Sequence, residues 1–158
     1  MPRVENQMAV NIRKFVVGVS GLDELVRLGS LTEQASRFLE AAVASGLNLL
    51  VAGGTQAGKT TMLNALCAAI PASERVITTE EVFELQVPLP DVVLMQTRQA
   101  NLEGTGEITL RRLVKEALRM RPNRIIVGEV RQEGCLDLLI VLNSGLVENV
   151  QTHRRFSG

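Results

Sequence analysis

Short apolar runs alternate with stretches of helical spacing along most of the chain. Four runs have the length and composition of strands buried on both faces of a parallel sheet, and they cover residues 47–52, 76–79, 92–95 and 125–127. Helices are predicted between these runs, over residues 32–45, 61–70 and 110–118. The alternation predicts an α/β fold with a mainly parallel sheet of roughly five or six strands, flanked by helices.

The two ends of the chain lack this regularity. Residues 10–15 alternate like a strand, but three glycines interrupt the pattern that follows, so residues 1–30 are predicted to be an N-terminal remnant or linker. Residues 147–158 are polar and basic without periodicity, which predicts an irregular C-terminal tail. Residues 31–146 are expected to form the core domain.

Composition narrows the class of protein. Seventeen basic and seventeen acidic side chains cancel, so no nucleic-acid partner is expected. The two cysteines, Cys67 and Cys135, lie too far apart for a Cys-x-x-Cys metal motif and suggest no disulfide framework. No apolar run is long enough to span a bilayer, so we expect a cytoplasmic protein.

The strongest chemical signal is a glycine-rich loop between a predicted strand and a predicted helix. It comprises Gly53, Gly54, Thr55, Gln56, Ala57, Gly58, Lys59, Thr60 and Thr61, which match the whole phosphate-loop pattern. Backbone N–H groups and the helix N-terminus can hold the α and β phosphates of a nucleotide, and Thr61 can donate to the α phosphate. Lys59 is expected to reach the β and γ phosphates, and the Thr60 hydroxyl to ligate Mg²⁺. A chance glycine turn would not explain the flanking elements.

Two acidic positions follow predicted strands. Glu129 ends the strand over residues 125–127, and ligand sites of parallel sheets lie at that end, so it is a candidate for the magnesium shell or for orienting the attacking water. The alternative is a surface ion pair with Arg131. Glu80, with Glu81 and Glu84, follows another strand and suits water activation, although such charge runs often form solvated turns.

Arginines complete the expected site, because a guanidinium stabilises the charge that develops on a triphosphate during cleavage, often from a neighbouring subunit. Arg98 is favoured because it closes a strand. The other candidates, of which most are expected to be surface charges, are Arg111, Arg112, Arg119, Arg121, Arg124 and Arg131. His153, the only histidine, is expected to be an idle surface residue.

These motifs together resemble the type II/IV secretion system ATPases, and within them the CpaF-type branch that serves tight-adherence (Flp/Tad) pilus assembly. The resemblance is carried by residues 11–15, 47–64, 79–85, 96–98, 101–107 and 113–145. It implies a RecA-like P-loop NTPase core that uses ATP and Mg²⁺ to drive pilin assembly or protein export. It also implies a homo-hexameric ring, or assembly with a full-length paralogue, beside platform proteins at the cytoplasmic face of the inner membrane.

The resemblance also assigns roles to residues. Residues 53–61 match the Walker A motif, and residues 125–129 match the Walker B motif with Glu129 as its acidic residue and a contributor to the magnesium site. Glu80 matches the carboxylate of the family's aspartate box that is implicated in hydrolysis. Arg98 matches a conspicuous arginine near the nucleotide.

The chain also departs from the family pattern. Gln56 and Ala57 replace the usual Gly-Ser or Gly-Ala pair, and a positive φ at Gln56 would strain its side chain. The family's histidine box is not present, and His153 is not equated with it, so the chain is expected to be truncated at both ends. A catalytically inactive regulatory module is therefore the main alternative. A small-molecule kinase ranks lower, and GTP specificity is not expected because no Asn-Lys-x-Asp motif occurs.

Overall fold

A computed structural model of the protein describes residues 19–129 and the backbone of residues 130 and 148–154. The strand-like residues 10–15, Arg131 and Cys135 lie outside the described residues. The helices are α1 (Leu22–Arg27), α2 (Glu33–Ala44), α3 (Lys59–Cys67) and α4 (Leu110–Arg119). The strands are β1 (Leu49–Gly53), β2 (Val76–Glu80), β3 (Val92–Gln96), β4 (Arg124–Val130) and β5 (Glu148–Arg154).

The five strands form one parallel sheet in the order β1-β5-β4-β2-β3. Helices cover both faces, so the predicted α/β fold with a mainly parallel sheet is confirmed. Because all the strands run in the same direction, their carboxyl ends lie along one edge of the sheet. The glycine-rich loop after β1, the acidic residues after β2 and Glu129 on β4 therefore share that edge.

Strand β5 was not expected, and the prediction of an irregular tail is wrong for residues 148–154. This strand lies between β1 and β4, where Val150 pairs with Leu49 on one side and with Ile126 on the other. The position is set by backbone hydrogen bonds, because β1 and β4 would otherwise each leave a row of N–H and C=O groups without partners. The need of β1 and β4 for backbone hydrogen-bond partners cannot be seen in the polar side-chain pattern of residues 148–154.

Helix α1 also lies in a segment that was predicted to be a linker, and the prediction is wrong for residues 22–27. Leu22 and Leu25 are buried in the same apolar cluster as Val43 of α2. The helix start is fixed by Ser20, whose backbone N–H and hydroxyl donate to Glu24 Oε2 at 2.8 and 2.9 Å. These hydrogen bonds lower the pKa of Glu24. The predicted domain boundaries themselves stay predictions.

Two apolar clusters cover the two faces of the sheet. On β2, Val76 packs with α1, α2 and α3, and the next residue, Ile77, packs with α4, as the alternation of side chains along a strand requires. Thr32 and Thr109 begin α2 and α4 by accepting hydrogen bonds from Ala35 N and Arg112 N. None of the helices in the described part of the chain has the length and apolar character needed to cross a membrane.

Arg124 is fully buried at the amino end of β4. Its guanidinium donates to both carboxylate oxygens of Glu74, and its Nη2 also donates to the carbonyl oxygen of Val43 at 2.7 Å. These contacts attach α2 to the sheet at the edge opposite to the glycine-rich loop. The inclusion of Arg124 among the candidate nucleotide-binding arginines is therefore wrong, because the sheet separates it from that loop.

Candidate functional site

The glycine-rich loop leaves β1 at Gly53 and enters α3 at Lys59, so the predicted strand, loop and helix occur in that order. Gly58 is the N-cap residue of α3, with φ +82°, and as a glycine it has no side chain to accept from the first N–H groups of the helix. Among the described residues, no atom lies within 4 Å of a Cβ added to Gly54 or Gly58, so this part of the chain leaves the space beside the loop open. A helix N-terminus that begins after a glycine, beside such space, suits a phosphate group.

Gln56 lies in the same loop with φ +61°. This is the positive φ at which strain was expected, because the left-handed conformation costs a residue with a Cβ about 1–2 kcal/mol. The side chain is exposed, so no packing contact offsets that cost. The loop is strained at this position, as loops at functional sites often are.

Lys59 folds back across the loop. Its Nζ donates to the carbonyl oxygen of Gly54 at 2.6 Å, and the residue is half-buried. The donor is charged but the carbonyl acceptor is neutral, whereas a phosphate would bring a negative charge to the ammonium. The contact keeps the ammonium beside the open space, where a phosphate could take it over.

Thr60 connects the loop to the acidic segment after β2. Its hydroxyl donates to Glu84 Oε2 at 3.1 Å. One turn further along α3, Asn64 Oδ1 accepts from Gln86 N at 2.9 Å, and Asn64 Nδ2 donates to the carbonyl oxygen of Glu84 at 3.4 Å. Two side chains on one face of α3 therefore hold the segment that contains Glu84. Asn64 was not among the residues predicted for the site, although its spacing of four from Thr60 places the two on one helix face.

Glu80 is buried, with only 2% of its surface exposed. Its Oε1 accepts from the Thr78 hydroxyl at 3.0 Å, and its Oε2 accepts from the backbone N–H groups of Glu84 at 2.8 Å and Leu85 at 3.0 Å. Both carboxylate oxygens are thus engaged by the protein. The alternative of a solvated turn does not hold for Glu80, whose carboxylate organises the turn from inside.

Glu129 lies in an irregular part of β4. Val127 pairs with Gln151 and Val130 pairs with His153, so β4 has one more residue than β5 between these pairs. Such a bulge re-aims the side chains within it and is frequent beside active sites. Glu129 is half-buried at the same edge of the sheet as the loop. His153 also lies at this edge, at the register position of Ala52, and not in an irregular tail.

Arg98 lies beyond the end of β3, the edge strand farthest from β1. Four strand spacings separate the ends of β1 and β3 by ~19 Å. The Arg98 side chain is exposed, and its Nε donates to the carbonyl oxygen of Gly106 at 2.7 Å. The fold therefore brings Thr60 and the acidic segment together but leaves Arg98 far from the loop of its own chain.

The oxygen donors at this edge suit Mg²⁺, which binds hydroxyl and carboxylate oxygens and usually keeps several waters. Among residues 19–129, no group of three or more His, Cys, Asp or Glu side chains could hold a metal ion. We expect a Mg²⁺ ion at Thr60 to take waters and the phosphate oxygens of a nucleotide as further ligands. That is the usual arrangement in phosphate-loop proteins.

The sequence is similar to those of proteins from bacterial conjugation and secretion systems. A conjugal transfer protein candidate of Mycobacterium tuberculosis is 41% identical over 146 residues, which are 92% of this chain and 42% of the relative. The VirB11 protein of Rhizobium radiobacter is 39% identical over 115 residues, which are 73% of this chain and 33% of the relative. The chain spans less than half the length of these curated relatives.

Solved structures show the same fold. The VirB11 ATPase of the Brucella suis type IV secretion system, crystallised with sulphate, matches 93% of this chain with a TM-score of 0.68 and 30% identity. The match covers 43% of that structure. The Legionella pneumophila ATPase DotB matches 77% of this chain and 34% of its own, with a TM-score of 0.54 and 25% identity. The fold is thus that of a P-loop NTPase core.

The match to a family model covers nearly the whole chain. The model describes type II/IV secretion system proteins and matches residues 1–147, which include the glycine-rich loop, the acidic segment and Glu129. The chain belongs to the type II/IV secretion system protein family.

Proposed function

We propose that this chain is the ATP-binding core of a secretion-system ATPase, of the CpaF type, whose hydrolysis of ATP drives pilin assembly or protein export. The observation that carries the proposal is the phosphate loop, which joins β1 to α3 beside open space and lies next to an acidic segment. VirB11 and DotB, the structures it resembles, are ATPases. The Brucella suis relative was crystallised with sulphate, an anion similar in shape to phosphate.

The described residues have distinct roles in this proposal. The N–H groups of residues 54–61 hold the phosphates, Lys59 moves from the Gly54 carbonyl to the β and γ phosphates, and Thr60 supplies a hydroxyl oxygen to Mg²⁺. The bound Mg²⁺ would neutralise charge on the phosphates. Glu129 orients the attacking water from the bulge in β4.

Arg98 acts in trans in the proposed assembly. Its position beyond the far edge strand keeps it from the phosphates of its own chain, whereas an exposed guanidinium at the rim can reach a nucleotide bound to a neighbouring copy. We therefore propose a ring of copies, or a ring shared with a longer paralogue, at the cytoplasmic face of the inner membrane beside platform proteins.

A second function, nucleotide binding without turnover, is favoured by one observation. Glu80, which the family resemblance marks as a hydrolytic carboxylate, is buried with both oxygens occupied by the protein. A chain of this kind could join full-length paralogues and regulate them. Activity measurements separate the two functions.

The test is Mg·ATP binding and steady-state hydrolysis by the 158-residue chain over a series of protein concentrations. Lys59→Ala is expected to weaken binding at least tenfold, and Lys115→Ala, which removes an exposed lysine on α4, is the matched control. Glu129→Gln should bind ATP without hydrolysing it. Hydrolysis per chain that rises with concentration supports an assembled motor, and binding without turnover supports the regulatory function. ATP binding that Lys59→Ala leaves unchanged overturns the proposal.

A further inference from the structure

We propose that Glu84 is a positioning residue for the magnesium-nucleotide site, and that it acts by accepting the hydrogen of the Thr60 hydroxyl. The contact that carries this inference is the 3.1 Å hydrogen bond from Thr60 Oγ1 to Glu84 Oε2. The inference rests on the proposed function, because it assigns a role at the same site.

The chemistry of a hydroxyl explains the role. A threonine hydroxyl has one hydrogen and two lone pairs. When the hydrogen points to Glu84, the lone pairs of Thr60 Oγ1 are left for a cation on the other side. A charged acceptor makes this orientation firmer than a neutral one, because such hydrogen bonds are roughly twice as strong. The hydroxyl is thus pre-oriented for Mg²⁺ before a nucleotide arrives.

The structure holds Glu84 in place from both of its backbone groups. The Glu84 N–H donates to the buried carboxylate of Glu80 at 2.8 Å. The Glu84 carbonyl oxygen accepts from Asn64 Nδ2 at 3.4 Å, one helical turn beyond Thr60. The backbone of Glu84 is therefore fixed to β2 on one side and to α3 on the other. Because its half-buried side chain starts from a fixed backbone, little conformational entropy is lost when it contacts Thr60.

The neighbouring carboxylate of Glu80 is not available for this role. Both of its oxygens are occupied, and its side chain lies against Gly128 of β4. Moving it toward the phosphate loop would leave the N–H groups of Glu84 and Leu85 without acceptors in a partly buried place, at a cost in free energy. The two glutamates therefore have different roles: Glu80 holds the turn after β2, and Glu84 orients the Thr60 hydroxyl.

The test compares ATP affinity in the presence of Mg²⁺ with ATP affinity in EDTA, measured by fluorescence of a labelled ATP analogue. Glu84→Ala removes the acceptor and is expected to weaken Mg·ATP binding about tenfold, because hydrogen bonds to charged groups contribute on that order. Glu84→Gln keeps a neutral acceptor and is expected to lose less. Affinity in EDTA should stay unchanged in both variants. Glu40→Gln, which neutralises an exposed carboxylate on α2, is the charge control.

A double-mutant cycle tests whether Glu84 acts through Thr60. In a Thr60→Ala background, Glu84→Ala is expected to have no further effect on the magnesium-dependent affinity, whereas in a Thr60→Ser background, which keeps the hydroxyl, the tenfold effect should persist. An equal loss in EDTA, or an undiminished loss in the Thr60→Ala background, overturns the inference while the proposed function stands. A wild-type chain that binds no ATP even with Mg²⁺ overturns the proposed function itself.

Discussion

Gly128 on β4 lies so close to Glu80 on β2 that a Cβ atom at position 128 would come within 2.8 Å of Glu80 Cγ. The absence of a side chain at Gly128 therefore decides where the Glu80 carboxylate lies. That carboxylate in turn holds the N–H groups of Glu84 and Leu85. A methyl group on one strand would thus disturb a turn that follows another strand.

Gly128→Ala should lower the free energy of unfolding by about 1–3 kcal/mol, because overpacking a buried contact forces its neighbours to shift. Urea unfolding of the nucleotide-free chain measures this loss. Gly54→Ala is the matched control, since a Cβ at Gly54 meets no atom of the described residues within 4 Å. Equal stability of the two variants would contradict the tight contact between Gly128 and Glu80.

Two adjacent threonines on β2 should respond in opposite directions to the same substitution. Thr79 Oγ1 is buried and, among the described residues, has no hydrogen-bond partner, whereas the equally buried Thr78 hydroxyl donates to Glu80. Thr79→Val is expected to raise the free energy of unfolding by about 1 kcal/mol, and Thr78→Val to lower it by about 1–2 kcal/mol. Denaturant titrations of both variants check this, and a loss of stability in Thr79→Val would show that its hydroxyl is satisfied.

Gln56→Gly should relieve the strain of the phosphate loop. At φ +61° a residue with a Cβ costs about 1–2 kcal/mol, and glycine removes this cost. The greater freedom of glycine in the unfolded chain offsets part of that gain. We expect a net gain in unfolding free energy of about 0.5 kcal/mol and unchanged or tighter ATP binding. The neighbouring Thr55, which has no positive φ, provides the control, and Thr55→Gly should give no gain.

The buried pair of Arg124 and Glu74 should be costly to break. Arg124→Met removes the guanidinium that donates to the Glu74 carboxylate and to the Val43 carbonyl, and loss of one partner of a buried pair typically costs about 3–5 kcal/mol. Arg119→Met is the control, because the Arg119–Glu116 pair is exposed and contributes at most about 1 kcal/mol. If Arg124→Met does not fold, the double variant with Glu74→Leu should restore folding. If neither variant folds, the loss of stability does not come from the buried charge of Glu74.

The buried thiol of Cys67 should make the free energy of unfolding depend on pH in the alkaline range. Burial, and next the charge of Glu80, raise the pKa of its thiol from 9.0 to about 12. The unfolded chain therefore loses this proton first, and the stability that the thiol contributes below pH 9 is lost as the pH rises toward 12. We expect the unfolding free energy of the wild type, relative to Cys67→Val, to fall by about 1.4 kcal/mol per pH unit in this window. A difference that stays constant with pH would contradict the raised pKa.

The part of the site that the sequence predicted is local. The loop between β1 and α3 is encoded by glycines, a lysine and threonines at fixed spacing, so its place between a strand and a helix followed from the pattern alone. The short apolar runs likewise predicted β2, β3 and β4 to within a few residues. Their parallel pairing followed from the alternation with helices.

The rest depends on contacts between distant segments. Glu80 was predicted to be a catalytic residue. Its carboxylate is buried against the N–H groups of Glu84 and Leu85. The direction of these N–H groups depends on the geometry of the turn and not on residue type. The position of β5 depends on the backbone needs of β1 and β4. The contact of Thr60 with Glu84 depends on how α3 lies over the sheet.

The central position of β5 has a consequence for how the chain folds. Leu49 of β1 pairs with Val150, about a hundred residues later, and pairings this remote in sequence are closed slowly. During synthesis β1, with the phosphate loop, emerges early and can join β4 only after the last of these strands has left the ribosome. Until then β1 has no partner strand and the β4-β2-β3 sheet has an unpaired edge along β4, and such edges are prone to pair with other chains.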